Sequence, residues 1–153
     1  MQKEIVSNSE NSTIELGQKL APQLKCGDTL VLTGDLGAGK TKFVTGILSY
    51  FHKENEVSSP TFTIINEYSL TNDLKLFHFD VYRFDFEDEF TAIGGEEFFD
   101  KGICVIEWGE KIQNLLPKEY LKIEIQKDET DVNLRKIILE PYGERFLNLV
   151  KEL

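Results

Sequence analysis

Two cysteines, one tryptophan and three arginines are all that 153 residues supply of those types. Each scarcity excludes something. Cys26 and Cys104 stand far apart, with no zinc-type spacing and too few thiols for a disulfide framework. A reduced cytosolic protein is expected, with both cysteines as core or strand-edge residues. No apolar run reaches the ~18 residues of a membrane span. Met1-Gln2-Lys3-Glu4-Ile5 opens no apolar stretch of the kind a secretory leader uses, so none is expected. Only Arg83, Arg135 and Arg145 carry a guanidinium, and the formal net charge is −10. Unaided binding to nucleic acid, which needs cations to displace counterions, is therefore disfavoured. An RNA substrate would have to be held by a partner. An Asn-Lys-x-Asp motif is also missing, which argues against a guanine nucleotide.

What the sequence does have is Gly34-Asp35-Leu36-Gly37-Ala38-Gly39-Lys40-Thr41, a full match to the phosphate-binding pattern G-x-x-x-x-G-K-[ST]. Glycines let the backbone wind tightly and approach an anion. The wound chain aims N–H groups inward as a nest. Lys40 would reach the β- and γ-phosphates, and the Thr41 hydroxyl would ligate Mg²⁺. The apolar, β-prone run 29–33 precedes the motif. After it, Val44, Ile47, Leu48 and Phe51 recur at helical spacing over 42–51. Strand, loop and helix are the context the motif requires, with the helix N-terminus facing the phosphates.

Elsewhere, Ser12-Thr13-Ile14-Glu15 reads as a capping box opening a helix, with Ile14, Leu20, Ala21 and Leu24 on its buried side and Pro22 bending or ending it. Residues 61–70 and 75–79 read as strands around the turn Thr71-Asn72-Asp73. The acidic stretch 85–100 carries Gly94-Gly95 and reads as two short helices. Residues 102–106 form a buried-type strand, 120–126 and 132–140 a hairpin, and 142–153 a closing helix. One α/β domain with a central sheet is expected over the whole chain.

A phosphate loop only binds; hydrolysis also needs a second acid for magnesium and a group that positions water. Asp80 and Glu107 each end an apolar strand, and spacing alone does not rank them. Ser58-Ser59-Pro60-Thr61-Phe62-Thr63 sits where a first switch would lie. Arg83 could meet phosphate or pair with a nearby carboxylate. Trp108 could pack at a site mouth, at an interface or over the core. His78 alternates with apolar residues, so a structural role is expected.

Taken in order behind the loop, Ser59-Pro60-Thr61-Phe62-Thr63, His78-Phe79-Asp80-Val81-Tyr82-Arg83 and Ile106-Glu107-Trp108 closely resemble the TsaE family, formerly YjeE. The resemblance runs over about residues 10 to 117; beyond Lys118 only the hairpin-then-helix outline matches. It implies a single P-loop NTPase-type α/β domain over residues 1–153. A central, largely parallel sheet would be flanked by helices and followed by a C-terminal hairpin plus helix. It implies the ATPase subunit of bacterial tRNA threonylcarbamoyladenosine synthesis, cytoplasmic and acting with TsaB–TsaD partners that hold most of the tRNA. ATP would be the substrate and Mg²⁺ the cofactor. By that resemblance Leu36, Gly37, Ala38, Gly39, Lys40 and Thr41 would bind ATP. Thr41 and Glu107 would ligate the metal, and Asp80 with Lys40 would support hydrolysis. Thr61 would belong to a first switch, Tyr82 and Arg83 to a second. Ser9, Glu10, Asn133 and Arg135 would be adenine-side residues, in segments that match the family poorly. Two other functions are open on the residues: a nucleotide-gated binding module without turnover, and a small phosphate-loop kinase. The kinase is disfavoured by having three arginines in all.

Overall fold

The computed structural model describes residues 1–35, 37–60 and 63–153. Leu36, Thr61 and Phe62, with the ATP-binding and switch roles expected of Leu36 and Thr61, lie outside the described residues.

Seven strands among the described residues form one mixed sheet: β1 (Lys3–Ser7), β2 (Thr29–Gly34), β3 (Ile65–Ser69), β4 (Lys75–Asp80), β5 (Ile103–Glu107), β6 (Tyr120–Lys127) and β7 (Arg135–Tyr142). Their order is β1-β7-β6-β2-β5-β4-β3. The four central strands are parallel, because β2 pairs in parallel with β5 and β6, and β4 with β5. The outer pairings are antiparallel. This is an α/β sheet with a parallel centre, as expected. The helices are α1 (Glu10–Leu20), α2 (Lys40–Tyr50), α3 (Glu87–Ala92) and α4 (Glu144–Lys151).

The strands' two-residue alternation sorts side chains onto two faces. Leu30 and Leu32 of β2 and Ile103 and Val105 of β5 join the larger core with Phe43, Val44, Ile47 and Leu48 of α2 and Phe146, Leu149 and Val150 of α4. Phe77 and Phe79 of β4, with Cys104 and Ile106 of β5, enter a second core with Phe84, Phe90 of α3 and Ile112. The sheet is thus covered on both faces, as parallel strands require.

Two glycines set how closely α1 lies on α2. A Cβ on Gly17 would strike the Phe43 carbonyl oxygen, and one on Gly46 the Ile14 carbonyl oxygen. The backbones therefore touch, and the start of α1 is held beside the phosphate loop.

Three local expectations need correction. The N-cap of α1 is Ser9, not Ser12; the Ser9 hydroxyl accepts from the Ser12 N–H at 3.1 Å. Ser12 has the capping-box spacing to Glu15 and Ser9 does not, so the helix starts one turn ahead of that pattern, where Ser7 adds further hydrogen bonds. The Ser7 hydroxyl donates to the Ser9 carbonyl at 2.9 Å and lies 2.7 Å from the Thr13 hydroxyl. The earlier start puts Leu16, Gly17 and Leu20 on the buried side and leaves Ile14 half-buried. The third strand begins at Ile65 instead of 61, because Ile64 takes a left-handed φ of 69° and donates back to Pro60. Strand β1 was not anticipated: at five residues with alternate burial, it is stabilised by its partner β7. Pro22 does end the helix, α1 giving way to a 3-10 turn at Ala21–Gln23.

Candidate nucleotide site

Every parallel strand of the sheet's centre ends at the same edge. At the end of β2 the chain turns into the loop, where Gly34, Gly37 and Gly39 take φ of 145°, 78° and 114°. Those values are open to glycine and strained for other residues. Gly39 caps α2 with no side chain, so the first N–H groups of that helix face outward to the cavity. Asp80 ends β4 and Glu107 ends β5, and the two are register partners across the parallel pair. The hairpin between β6 and β7 and the start of α1 return to this edge, since Ser7 at the end of β1 pairs with Arg135.

These ends surround a cavity of about 660 Å³. It is lined by Gly37 to Thr41, by Asp80, Tyr82, Glu107 and Trp108, by Ser9, Glu10 and Thr13, and by Val132, Asn133 and Arg135. Every described residue expected at the site lines it except Arg83, which is exposed in the turn after β4. Thr13, Lys42 and Val132 line it without having been anticipated there. The close packing of α1 on α2 was the signal for Thr13, and it is a tertiary contact.

Inside the cavity, Lys40 and Glu107 are nearly fully buried, at 8% and 6% exposure. The Lys40 ammonium lies 3.7 Å from Glu107 Oε1 and 5.0 Å from the centre of the Trp108 ring. Glu107 Oε2 lies 2.8 Å from Nε2 of the fully buried His78. The histidine is a buried residue of a strand covered on both faces, consistent with the structural place expected of it; its pairing with Glu107 was not anticipated.

At the mouth, Trp108 adopts a left-handed φ of 64° and its ring packs 4.9 Å from that of Tyr82. The Lys111 ammonium donates to the Tyr82 carbonyl at 2.5 Å and sits over the Tyr82 ring. Trp108 lines the cavity mouth and also packs against the second core, so two of the placements open for it are seen together. The Tyr82 N–H donates to Asp80 Oδ1 at 2.9 Å, which orients that carboxylate.

Arg135 spends its guanidinium on backbone. Nε donates to the Ala38 carbonyl at 2.9 Å, Nη1 to Val132 at 2.7 Å and Leu134 at 2.9 Å. It fastens the hairpin to the outside of the phosphate loop. Lys42 is exposed on α2, as expected, 3.8 Å from Glu10, but it also lines the cavity.

Could this cavity hold magnesium? Among the described residues no three His, Cys, Asp or Glu side chains cluster as a metal cage. Magnesium does not need one: it keeps waters and takes one or two protein oxygens plus substrate phosphates. A buried carboxylate facing the loop lysine, with a threonine hydroxyl at the start of α2, fits that sparse donor set.

A glycine-wound loop between a central parallel strand and a helix, at the end of the sheet where α/β proteins bind ligands, defines a phosphate-loop-type α/β protein. The family model described as "Threonylcarbamoyl adenosine biosynthesis protein TsaE" matches residues 7–137. The chain belongs to the TsaE family. It is 45% identical over 132 residues to the tRNA threonylcarbamoyladenosine biosynthesis protein TsaE of Bacillus subtilis, covering 84% of this chain and 79% of that one. The protein of the same name from Rickettsia conorii is 37% identical over 132 residues, covering 86% and 75%. A crystal structure of Bacillus subtilis YdiB superposes with a TM-score of 0.77 at 34% identity, covering 99% of this chain and 93% of that one. Among the described residues no helix is long and apolar enough to cross a membrane.

Proposed function

We propose that this chain is a magnesium-dependent ATP-binding and ATP-hydrolysing subunit that acts on a TsaB–TsaD-type assembly. That assembly forms the threonylcarbamoyl group on the adenosine adjacent to the tRNA anticodon. The observation that supports this most is the convergence of the loop, Asp80 and Glu107 on one cavity in a chain of the TsaE family.

The loop N–H groups and the α2 N-terminus receive the phosphates. Lys40 leaves Glu107 and follows the β- and γ-oxygens, a move of a flexible side chain within one buried space. Thr41 and Glu107 are the residues that hold magnesium, which when bound neutralises phosphate charge. Asp80, oriented by the Tyr82 N–H, positions the attacking water. Val132 and Asn133, with Ser9 and Glu10 across the cavity, flank the space left for the nucleoside. A net charge of −10 suits a subunit that docks on proteins and leaves the tRNA to them.

The test is reconstitution of tRNA modification from purified TsaB–TsaD-type partners, tRNA and ATP, with and without this chain. Multiple-turnover modification that requires the chain and is lost with Lys40→Ala supports the proposal. Modification indifferent to the chain overturns it.

A further inference from the structure

His78 is fully buried in the middle of β4, between Phe77 and Phe79. An imidazole in such a strand costs desolvation that an apolar residue avoids. Among the described residues, only one of its nitrogens has a partner. Nε2 lies 2.8 Å from Glu107 Oε2, while Nδ1 is buried without any hydrogen bond. The residue thus bears the cost of an unpaired nitrogen to place one N–H at one carboxylate oxygen. An ionised carboxylate only accepts, so Nε2 donates.

The geometry around Glu107 divides its two oxygens. Oε2 is held from within the sheet by His78, whose place is fixed by the β4–β5 register that sets it opposite Val105. Oε1 faces the cavity and meets the flexible Lys40 ammonium at 3.7 Å. His78 stays when a nucleotide arrives, because its strand is core. Lys40 does not have to.

We propose that His78 is a positioning residue that locks Glu107 through Oε2 so that Oε1 alone is offered to the nucleotide's magnesium ion once Lys40 moves to the phosphates. The inference rests on the magnesium reading above. Metal-ligating carboxylates are commonly held by such an outer partner, and losing the partner costs about 10- to 100-fold in metal affinity.

The test compares affinity for a non-hydrolysable ATP analogue in excess Mg²⁺ and in EDTA, read by calorimetry and by Trp108 fluorescence. The ratio of the two affinities is the metal coupling. His78→Phe fills the space without a donor, and His78→Leu is a second donor-free variant; His78→Gln can return an N–H near the position of Nε2. The expected result is a coupling lowered about 10- to 100-fold in the donor-free variants, with affinity in EDTA unchanged and His78→Gln close to wild type. The inference is overturned if the donor-free variants keep the wild-type coupling, or if affinities in Mg²⁺ and EDTA fall together. Equal loss in His78→Gln, or failure of both donor-free variants to fold, also overturns it, since packing would then be the residue's role. A wild-type coupling of one would instead contradict the magnesium reading itself.

Discussion

Lys40 and Glu107, 67 positions apart in the chain by their numbering, face each other at 3.7 Å inside the cavity. Two buried opposite charges hold each other where each would otherwise be uncompensated. On the function proposed above, a nucleotide's phosphates would compete for the lysine and free the acid of β5. Glu107→Ala is therefore expected to weaken nucleotide binding in magnesium and to leave binding in EDTA unchanged or slightly tighter. Calorimetry in the two buffers checks this. Equal loss in both would remove Glu107 from the metal.

Asp80 lines the same cavity, and its carboxylate is oriented by the Tyr82 N–H. Asp80→Asn preserves the acceptor oxygen but weakens the pull on a water proton. Hydrolysis is expected to fall by about 10²-fold or more, with nucleotide affinity within a few-fold of wild type. Single-turnover hydrolysis and equilibrium binding separate the two effects; unchanged hydrolysis would remove Asp80 from the chemistry.

Gly46 lets α1 and α2 touch backbone to backbone. A methyl there meets a carbonyl that cannot rotate away. Gly46→Ala should cost about 1–3 kcal/mol, a drop of about 2–4 °C in melting temperature per kcal/mol. Because α1 brings Ser9, Glu10 and Thr13 to the cavity, nucleotide affinity should fall as well. Thermal melts with and without nucleotide measure both; a variant as stable as wild type would show that the helices can part freely.

Burial pushes the Cys104 thiol up to about 12, while Cys26 is exposed. A raised folded-state value means the thiol is protonated in both states below the unfolded range. Its stabilising contribution is present there and is lost as pH rises from that range through about 12. At mildly alkaline pH a thiol reagent should therefore modify Cys26 quickly and Cys104 only after denaturation. Two fast thiols in the folded protein would contradict the buried β5.

How much of this could be read in advance differs from one residue to the next. The loop was legible because glycine spacing, lysine and threonine each answer to one local need. Strands β4 and β5 were legible as apolar runs ending in acids. The adjacency of Asp80 and Glu107 was not, since it comes from parallel register across the sheet. Ser9 as the cap of α1 depends on Ser7 and Thr13, and strand β1 on β7; local pattern carries neither. His78 stands between apolar residues in the sequence, and it is a fully buried strand residue. Its hydrogen bond to Glu107 reaches 29 residues along the chain, beyond any window of periodicity. Arg135 was expected near the nucleoside; it does line the cavity, with donors committed to Ala38, Val132 and Leu134, a set that only the folded hairpin assembles.

On the proposed function, this cavity binds and turns over ATP in concert with partners. The most direct measurement is phosphate release from ATP by the chain alone and with TsaB–TsaD-type partners and tRNA. Slow release by the chain alone and clear stimulation in the full mixture are expected, both abolished by Lys40→Ala. No release above background in either mixture, with nucleotide still bound, would contradict it and make the chain a nucleotide-gated binding module.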